Sequence, residues 1–166
     1  MALTNNINLL QPSQFKVIVN RQRFGNFEFF AQSFNHPGLS VNPPALPTRR
    51  LSNVSIPGDT VTFDELSFDV LADEDMNSYI ELFNWLKGGV ENNYKPPTER
   101  GSDAVYIHEA DITVNILSSH NNTTRTIKYT DCVPTSIGTL SMLATSTDTT
   151  PITFPITFRT SYFEIR

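Results

Sequence analysis

Three histidines, one cysteine and two short acidic stretches are the residues of this chain best equipped for chemistry. His36, His108 and His120 are scattered and lack metal-ligand spacing. In "HEAD" (His108–Asp111), a strand would place His108 and Ala110 on one face and Glu109 and Asp111 on the other. The histidine and its acids therefore do not converge on one point. Cys132 is the only cysteine, so no internal disulfide can form; with no base identified beside it, it reads as a small core residue. "DED" (Asp73–Asp75) suits a helix cap and first turn, and the glycine and final glutamate of a calcium loop are missing at their required spacing. The chain has no phosphate-binding glycine loop, dinucleotide fingerprint or nucleophile elbow. No catalytic, cofactor or metal site is expected.

The elements that would position such residues are mostly strands. Twelve Phe, five Tyr and many Thr favour a pleated, half-buried surface. "QFKVIVN" (Gln14–Asn20) alternates with Phe15, Val17 and Val19 on one face. "RQRFG" reads as a turn and "NFEFFAQSF" (Asn26–Phe34) as the antiparallel partner strand. "NHPGLSVNPPALP" reads as loop, since prolines remove donors. An arm follows at about residues 44–62. "ELSFDVLA" (Glu65–Ala72) alternates cleanly into another strand, burying Leu66, Phe68 and Val70.

One helix is expected, at about residues 74–87, N-capped by Asp73 and stopped by Gly88-Gly89. Its core stripe should be Met76, Tyr79, Ile80, Phe83 and Leu86, leaving Trp85 beside it as core or interface filler. "VENNYKPPTERGSD" reads as a solvated loop. "AVYIHEADITVNILSS" (Ala104–Ser119) and "TRTIKYTDCV" (Thr124–Val133) read as strands joined by the "HNNTT" turn. "PTSIGTLSMLATSTDTT" reads as a turn or short helix, then an irregular strand and loop. In the closing "PITFPITFRTSYFEI", Ile152, Phe154, Ile156, Phe158, Thr160 and Tyr162 share a face, while Pro155 argues for an edge or bulge. The expected fold is mainly β: two packed antiparallel sheets, a sandwich or half-barrel, with one flanking α-helix. With 166 residues and no linker or repeat, residues 1–166 form a single domain.

Formal net charge is −5, but it is unevenly divided. Residues 1–58 hold five basic groups (Lys16, Arg21, Arg23, Arg49, Arg50) against Glu28 alone, and the remainder is strongly acidic. A nucleic-acid binder would show a clustered basic stripe and a high pI, whereas the pI here is about 5.1. Opposite charge on two regions suits head-to-tail contact between copies. "MALTNNINLLQPSQ" lacks the basic and apolar regions of a signal peptide, so the sequons at Asn53 and Asn121 are expected to be chance. No apolar run reaches the roughly 18 residues of a membrane-spanning helix. A soluble, intracellularly made protein is expected.

Read in order, the segments resemble the tail tube proteins of contractile-tailed bacteriophages, the T4-like tail tube family. The likeness rests on the early strand "FKVIV", a "PG" loop leading into an arm, and "VTFDELSFDVLADED" running into "SYIELFNWL". "DCVPTSIGTL" and "ITFPITFRTSYFEI" resemble the family's closing motifs. The resemblance implies a non-enzymatic virion protein that assembles into hexameric rings stacked as the inner tail tube. It implies partners in the sheath, the baseplate and the tail terminator, with DNA passing non-specifically through the bore during ejection. Neither a cofactor nor a membrane is implied. It also implies a tail location, after assembly in the host cytoplasm, and an arm reaching the adjacent ring. On that arm, Arg49 and Arg50 would meet acids of the next ring while Leu51, Val54 and Ile56 bury apolar area. The alternatives are a baseplate tube-initiation subunit, the tube of a contractile secretion system, or a β-sandwich carbohydrate-binding module using the Asn/Thr-rich turn at Asn121–Thr124. A weaker one is a hydrolase whose residues converge only in three dimensions.

Overall fold

A computed structural model of the chain describes residues 9–19, 21–47, 54–94, 109–143 and 150–166. Strand β1 (Phe15–Ile18) leads into helix α1 (Arg21–Phe30), then β2 (Ala31–Asn35). Four short strands follow: β3 (Leu39–Val41), β4 (Ala45–Leu46), β5 (Val54–Ser55) and β6 (Val61–Phe63). The rest is β7 (Leu66–Leu71), α2 (Asn77–Tyr94), β8 (Ala110–Leu117), β9 (Thr123–Ile137), β10 (Thr153–Arg159) and β11 (Tyr162–Ile165).

The long strand β9 organises the two antiparallel sheets. Its first half pairs with β8 and β11, and β8 pairs with β1. Its second half pairs with β10, followed by β7 and β2. The halves meet near Asp131, whose φ of 54° lies in the left-handed region that Asp tolerates better than most residues. A kink there lets one strand serve two sheets. "PTSI" (Pro134–Ile137) is therefore strand rather than turn or helix, with Phe158 opposite Pro134.

Between the sheets lies an aromatic core. Phe27, Phe154, Phe158 and Tyr129 are fully buried, and Phe68 is 1% exposed. Phe27 meets Phe68 edge-on at 5.3 Å, and Phe68 meets Phe158 at 5.9 Å. The alternations read in β1 and β7 hold: Val17, Leu66, Phe68 and Val70 are all buried. The final strand departs from its expectation. Phe154, Ile156 and Phe158 share the core face, but the chain leaves β10 after Arg159, and Tyr162 opens β11 in the other sheet, exposed. Pro155 lies in an interior strand, flanked by β7 and β9. Its carbonyl accepts from the Gly138 N–H at 2.7 Å just past the end of β9, so its missing N–H interrupts no β7 bond. A Cβ on Gly138 would collide with the Pro155 ring, so only glycine fits there.

Two further expectations fail for one reason, the packing of the helices. "RQRFG" and the first half of "NFEFFAQSF" form α1, bent at Phe24 (φ −127°, ψ 41°), and β2 pairs with β7 instead of β1. Tertiary contact overrides local β propensity here. Phe24 stacks on Trp85 at 4.0 Å, and Phe27 inserts between Phe68 and Phe158. Past the bend, the N–H groups of Asn26 and Phe27 donate to the Glu81 carboxylate at 3.3 and 3.0 Å, so one helix caps the other. The described residues include two helices where one was expected.

The same stack turns α2 about its axis. Its buried residues are Ser78, Leu82, Trp85 and Gly88, whereas Ile80 and Phe83 of the expected stripe are exposed. The Ser78 hydroxyl contacts the Leu71 carbonyl and Asp73, holding the first turn inward. Asp73 Oδ2 and Oδ1 accept from the N–H groups of Asn77 and Ser78, so it caps a helix beginning at Asn77, three residues later than expected. Nor do Gly88 and Gly89 stop the helix. Glycine ends one only where the chain turns left-handed; here α2 continues to Tyr94 with Gly88 buried, taking in "VENNY" of the expected loop.

Candidate assembly surface

β3 with β6, and β4 with β5, pair into a narrow ribbon that begins where loop was expected. The β3–β6 register is Leu39 with Phe63, Ser40 with Thr62 and Val41 with Val61. Cross-strand partners share a face, and so do residues two apart, so Leu39, Val41, Val61 and Phe63 lie on one side. Leu39, Val41 and Val61 are 58%, 44% and 45% exposed, an apolar surface left open by the described residues. Further out, β4 pairs with β5 through Ala45–Ser55 and Leu46–Val54, and the Ile56 N–H donates to the Pro44 carbonyl at 3.2 Å.

Of the residues expected to make contacts between copies, Arg49, Arg50 and Leu51 lie outside the described residues. Val54 lies on β5 opposite Leu46, and Ile56 just beyond it is 37% exposed. Sequence reasoning missed Leu39, Val41 and Val61. The signal was there in the alternating "LSV" and "VTF", but the surrounding prolines made the first read as loop.

At its root the ribbon joins the body through aromatic rings. Phe63 meets Phe163 at 5.2 Å and Tyr162 at 6.0 Å. The Asp64 N–H donates to the Gly38 carbonyl at 3.1 Å, closing the base. His36, next to the root, meets Phe163 edge-on at 4.7 Å, and its Nδ1 lies 2.7 Å from the hydroxyl of buried Tyr129. Burial lowers the His36 pKa.

Ile80, Phe83 and Val90 line a second exposed apolar strip on α2. The outer edges of β1, β2 and β11 pair with no further strand among the described residues. Exposed edges of this kind invite pairing with another chain.

The ionisable groups are accounted for by structural contacts. Cys132 is fully buried, its thiol pushed up to about 12 by burial, as a core residue's would be. Asp111 pairs with Lys128 at 2.6 Å, and that lysine lowers its pKa. His108 lies outside the described residues, and no group of three or more His, Cys, Asp or Glu able to hold a metal occurs among the described ones. A cleft of about 550 Å³ between β1 and α1 is lined by Lys16, Val17, Gly25, Glu28 and Phe29. No helix among the described residues is long and apolar enough to cross a membrane.

No protein-family model and no curated protein matches the sequence. Solved structures share its fold. A chain of the extended PVC sheath–tube complex, from an extracellular contractile injection system, superposes with a TM-score of 0.67 at 16% identity, over 96% of this chain and 93% of its own. A chain of the anti-feeding prophage tube-terminating cap gives 0.68 at 14% identity, over 100% and 99%. The crystal structure of an Hcp protein gives 0.51 at 15% identity, over 92% and 90%. The fold class is that of contractile-system tube and Hcp proteins.

Proposed function

We propose that this chain is a structural subunit of the inner tube of a contractile machine, its copies closing into hexameric rings that stack end to end. The observation that carries the reading is the likeness, over nearly the whole of both chains, to components of sheath–tube and tube-cap assemblies. Two physical features support it. The edges of β1, β2 and β11 give neighbouring subunits somewhere to pair within a ring, and heterologous contacts that close make rings. The ribbon carries an apolar face with nothing on it, which contact with the next ring would cover.

In this reading the arm docks through Arg49 and Arg50 against acids of the adjacent ring, with Leu51, Val54, Ile56, Leu39, Val41 and Val61 supplying apolar area. Sheath, baseplate and terminator proteins are the partners, and the subunit performs no catalysis. In a phage the tube belongs to the virion tail, is assembled in the host cytoplasm, and conducts DNA. A net negative subunit suits such a conduit, since a bore poor in basic groups does not retain phosphate. A second reading, a tube that delivers something other than a genome, is favoured by neighbours that come from extracellular contractile injection systems. The nucleic-acid content of nuclease-treated native particles separates the two.

Electron microscopy with light scattering, across a concentration and salt series, tests the assembly. Hexameric rings or tubes are expected; a monodisperse monomer at high concentration would sink the proposal. Arg49→Glu combined with Arg50→Glu is expected to block elongation while the circular dichroism spectrum stays native. Normal polymerisation of that variant would remove the arginines from the docking contact.

A further inference from the structure

We propose that His36 is an acid-sensitive latch at the root of the arm, closed while its ring is neutral and opened when the ring gains a proton. His36 occupies the point where the chain leaves β2 for the arm, followed by Pro37, Gly38 and then β3. It is held from two sides, by the Tyr129 hydroxyl of β9 at 2.7 Å and by the face of Phe163 on β11. Phe163 also holds Phe63, the last residue of the returning arm strand β6. Both ends of the arm therefore converge on one aromatic cluster. His36 is itself exposed, so protons reach it from solvent.

Tyr129 makes the contact sensitive to protonation. It is 0% exposed, and burial raises its phenol pKa, so it remains an O–H donor at every ordinary pH. With its proton on Nε2, a neutral His36 offers the lone pair of Nδ1 to that hydroxyl, and the contact is satisfied. Protonation puts a hydrogen on Nδ1. The hydroxyl must then turn to accept, leaving its own proton buried without an acceptor, or the ring must leave. Either outcome weakens the attachment of the arm root.

Three charged groups on the surrounding elements have partners of their own. Lys128 neighbours Tyr129 on β9, so strand alternation sends it to the opposite face, where it pairs with Asp111. Glu164, beside Phe163, pairs with Arg166 at 2.8 Å. On β7, Asp69 accepts from the Ser33 hydroxyl. Asp64 Oδ2 lies over Gly38, 2.5 Å from where a Cβ would stand, and is the carboxylate at the root itself. Tyr129 is thus the titratable group that His36 contacts. The sign follows from the lowered folded-state pKa: the stability held by the neutral ring is present above the imidazole value of 6.5 and is lost as pH falls through the folded value.

The test uses the dispersed chain of residues 1–166, so it stands apart from whether tubes form. Amide hydrogen exchange, corrected for intrinsic rates, is followed between about pH 7.5 and 5, the range in which histidine titrates. Loss of protection with acid is expected at the β3–β6 ladder and not in β7 or β10. His36→Asn keeps an acceptor near the Nδ1 position but cannot titrate, and should abolish the step. Asp64→Asn should retain it. The His36 ring proton resonance in the unaltered protein should titrate below pH 6.5. A midpoint above that value, an arm root whose protection ignores pH, or a step that survives in His36→Asn would each overturn the latch.

Discussion

The body and the arm obey opposite rules, although both are built from antiparallel strands. In the body, β7 and β10 alternate so that Leu66, Phe68, Val70, Phe154, Ile156 and Phe158 are all but fully buried against a second layer. The arm has the same alternation in β3 and β6, yet no second layer, and Leu39, Val41 and Val61 stay open to water. A two-stranded ribbon with strands of two or three residues cannot bury enough surface to hold itself. The body is thus stabilised by its own contacts, whereas the apolar face of the arm is left open by the described residues. The difference separates residues that matter for folding from those to which the proposed function gives a role in assembly.

Three variants test that separation, in falling order of their cost to folding. Phe158→Ala removes a ring in contact with Phe27, Phe68 and Trp85, and should cost about 3–5 kcal/mol in denaturant unfolding. A cost near zero would mean that the body is not one packed core. Glu81→Ala leaves the Asn26 and Phe27 N–H groups without their acceptor, and should cost about 1–3 kcal/mol, with exchange first appearing in α1. Val41→Asp with Val61→Asp should change unfolding by no more than about 0.5 kcal/mol, since neither side chain is buried, while abolishing any tube growth. Equal loss of folding and assembly in that pair would erase the distinction between arm and body.

Acid should divide the two helix caps in opposite senses. Asp73 is held down to about 2, first by the Ser78 N–H, so its support for α2 is present above 3.8 and lost as pH falls through about 2. Burial raises the Glu81 pKa, so its contribution is greatest below the ordinary carboxylate value of 4.5 and fades as pH rises through the raised one. Near pH 3, Asp73→Asn should therefore lower the melting temperature more than Glu81→Gln does. The reverse order would show that one of the caps is misassigned.

Much of the body was legible because its signal is local. Period-two alternation identified β1 and β7, the "HNNTT" turn joined β8 to β9, and the lone cysteine read correctly as core. Local signals also misled. "NFEFF" has the composition of a strand and folds as helix, because Phe24 and Phe27 find Trp85, Phe68 and Phe158 waiting at helical spacing. The stripe chosen for α2 was the most apolar one available, yet the buried one includes Ser78 and Gly88. Neither small side chain advertises burial; one is held by the Leu71 carbonyl, and the other presents no side chain to the layer beneath. On the candidate surface, Ile56 was expected from sequence to contact another copy and is 37% exposed, while Leu39, Val41 and Val61 were not singled out.

By itself, then, the sequence determined the β-rich class, the alternating faces of the central strands and the unequal distribution of charge, because each depends on residues close together in the chain. Tertiary structure decided the rest. Which strands pair, which face of α2 turns inward, and whether "NFEFF" coils or extends depend on aromatic partners 40 to 130 residues away. It decided, too, which apolar residues are left over. An exposed Val41 and a buried Val70 look alike in sequence, and only the presence of an opposing layer makes one of them core and leaves the other open to water.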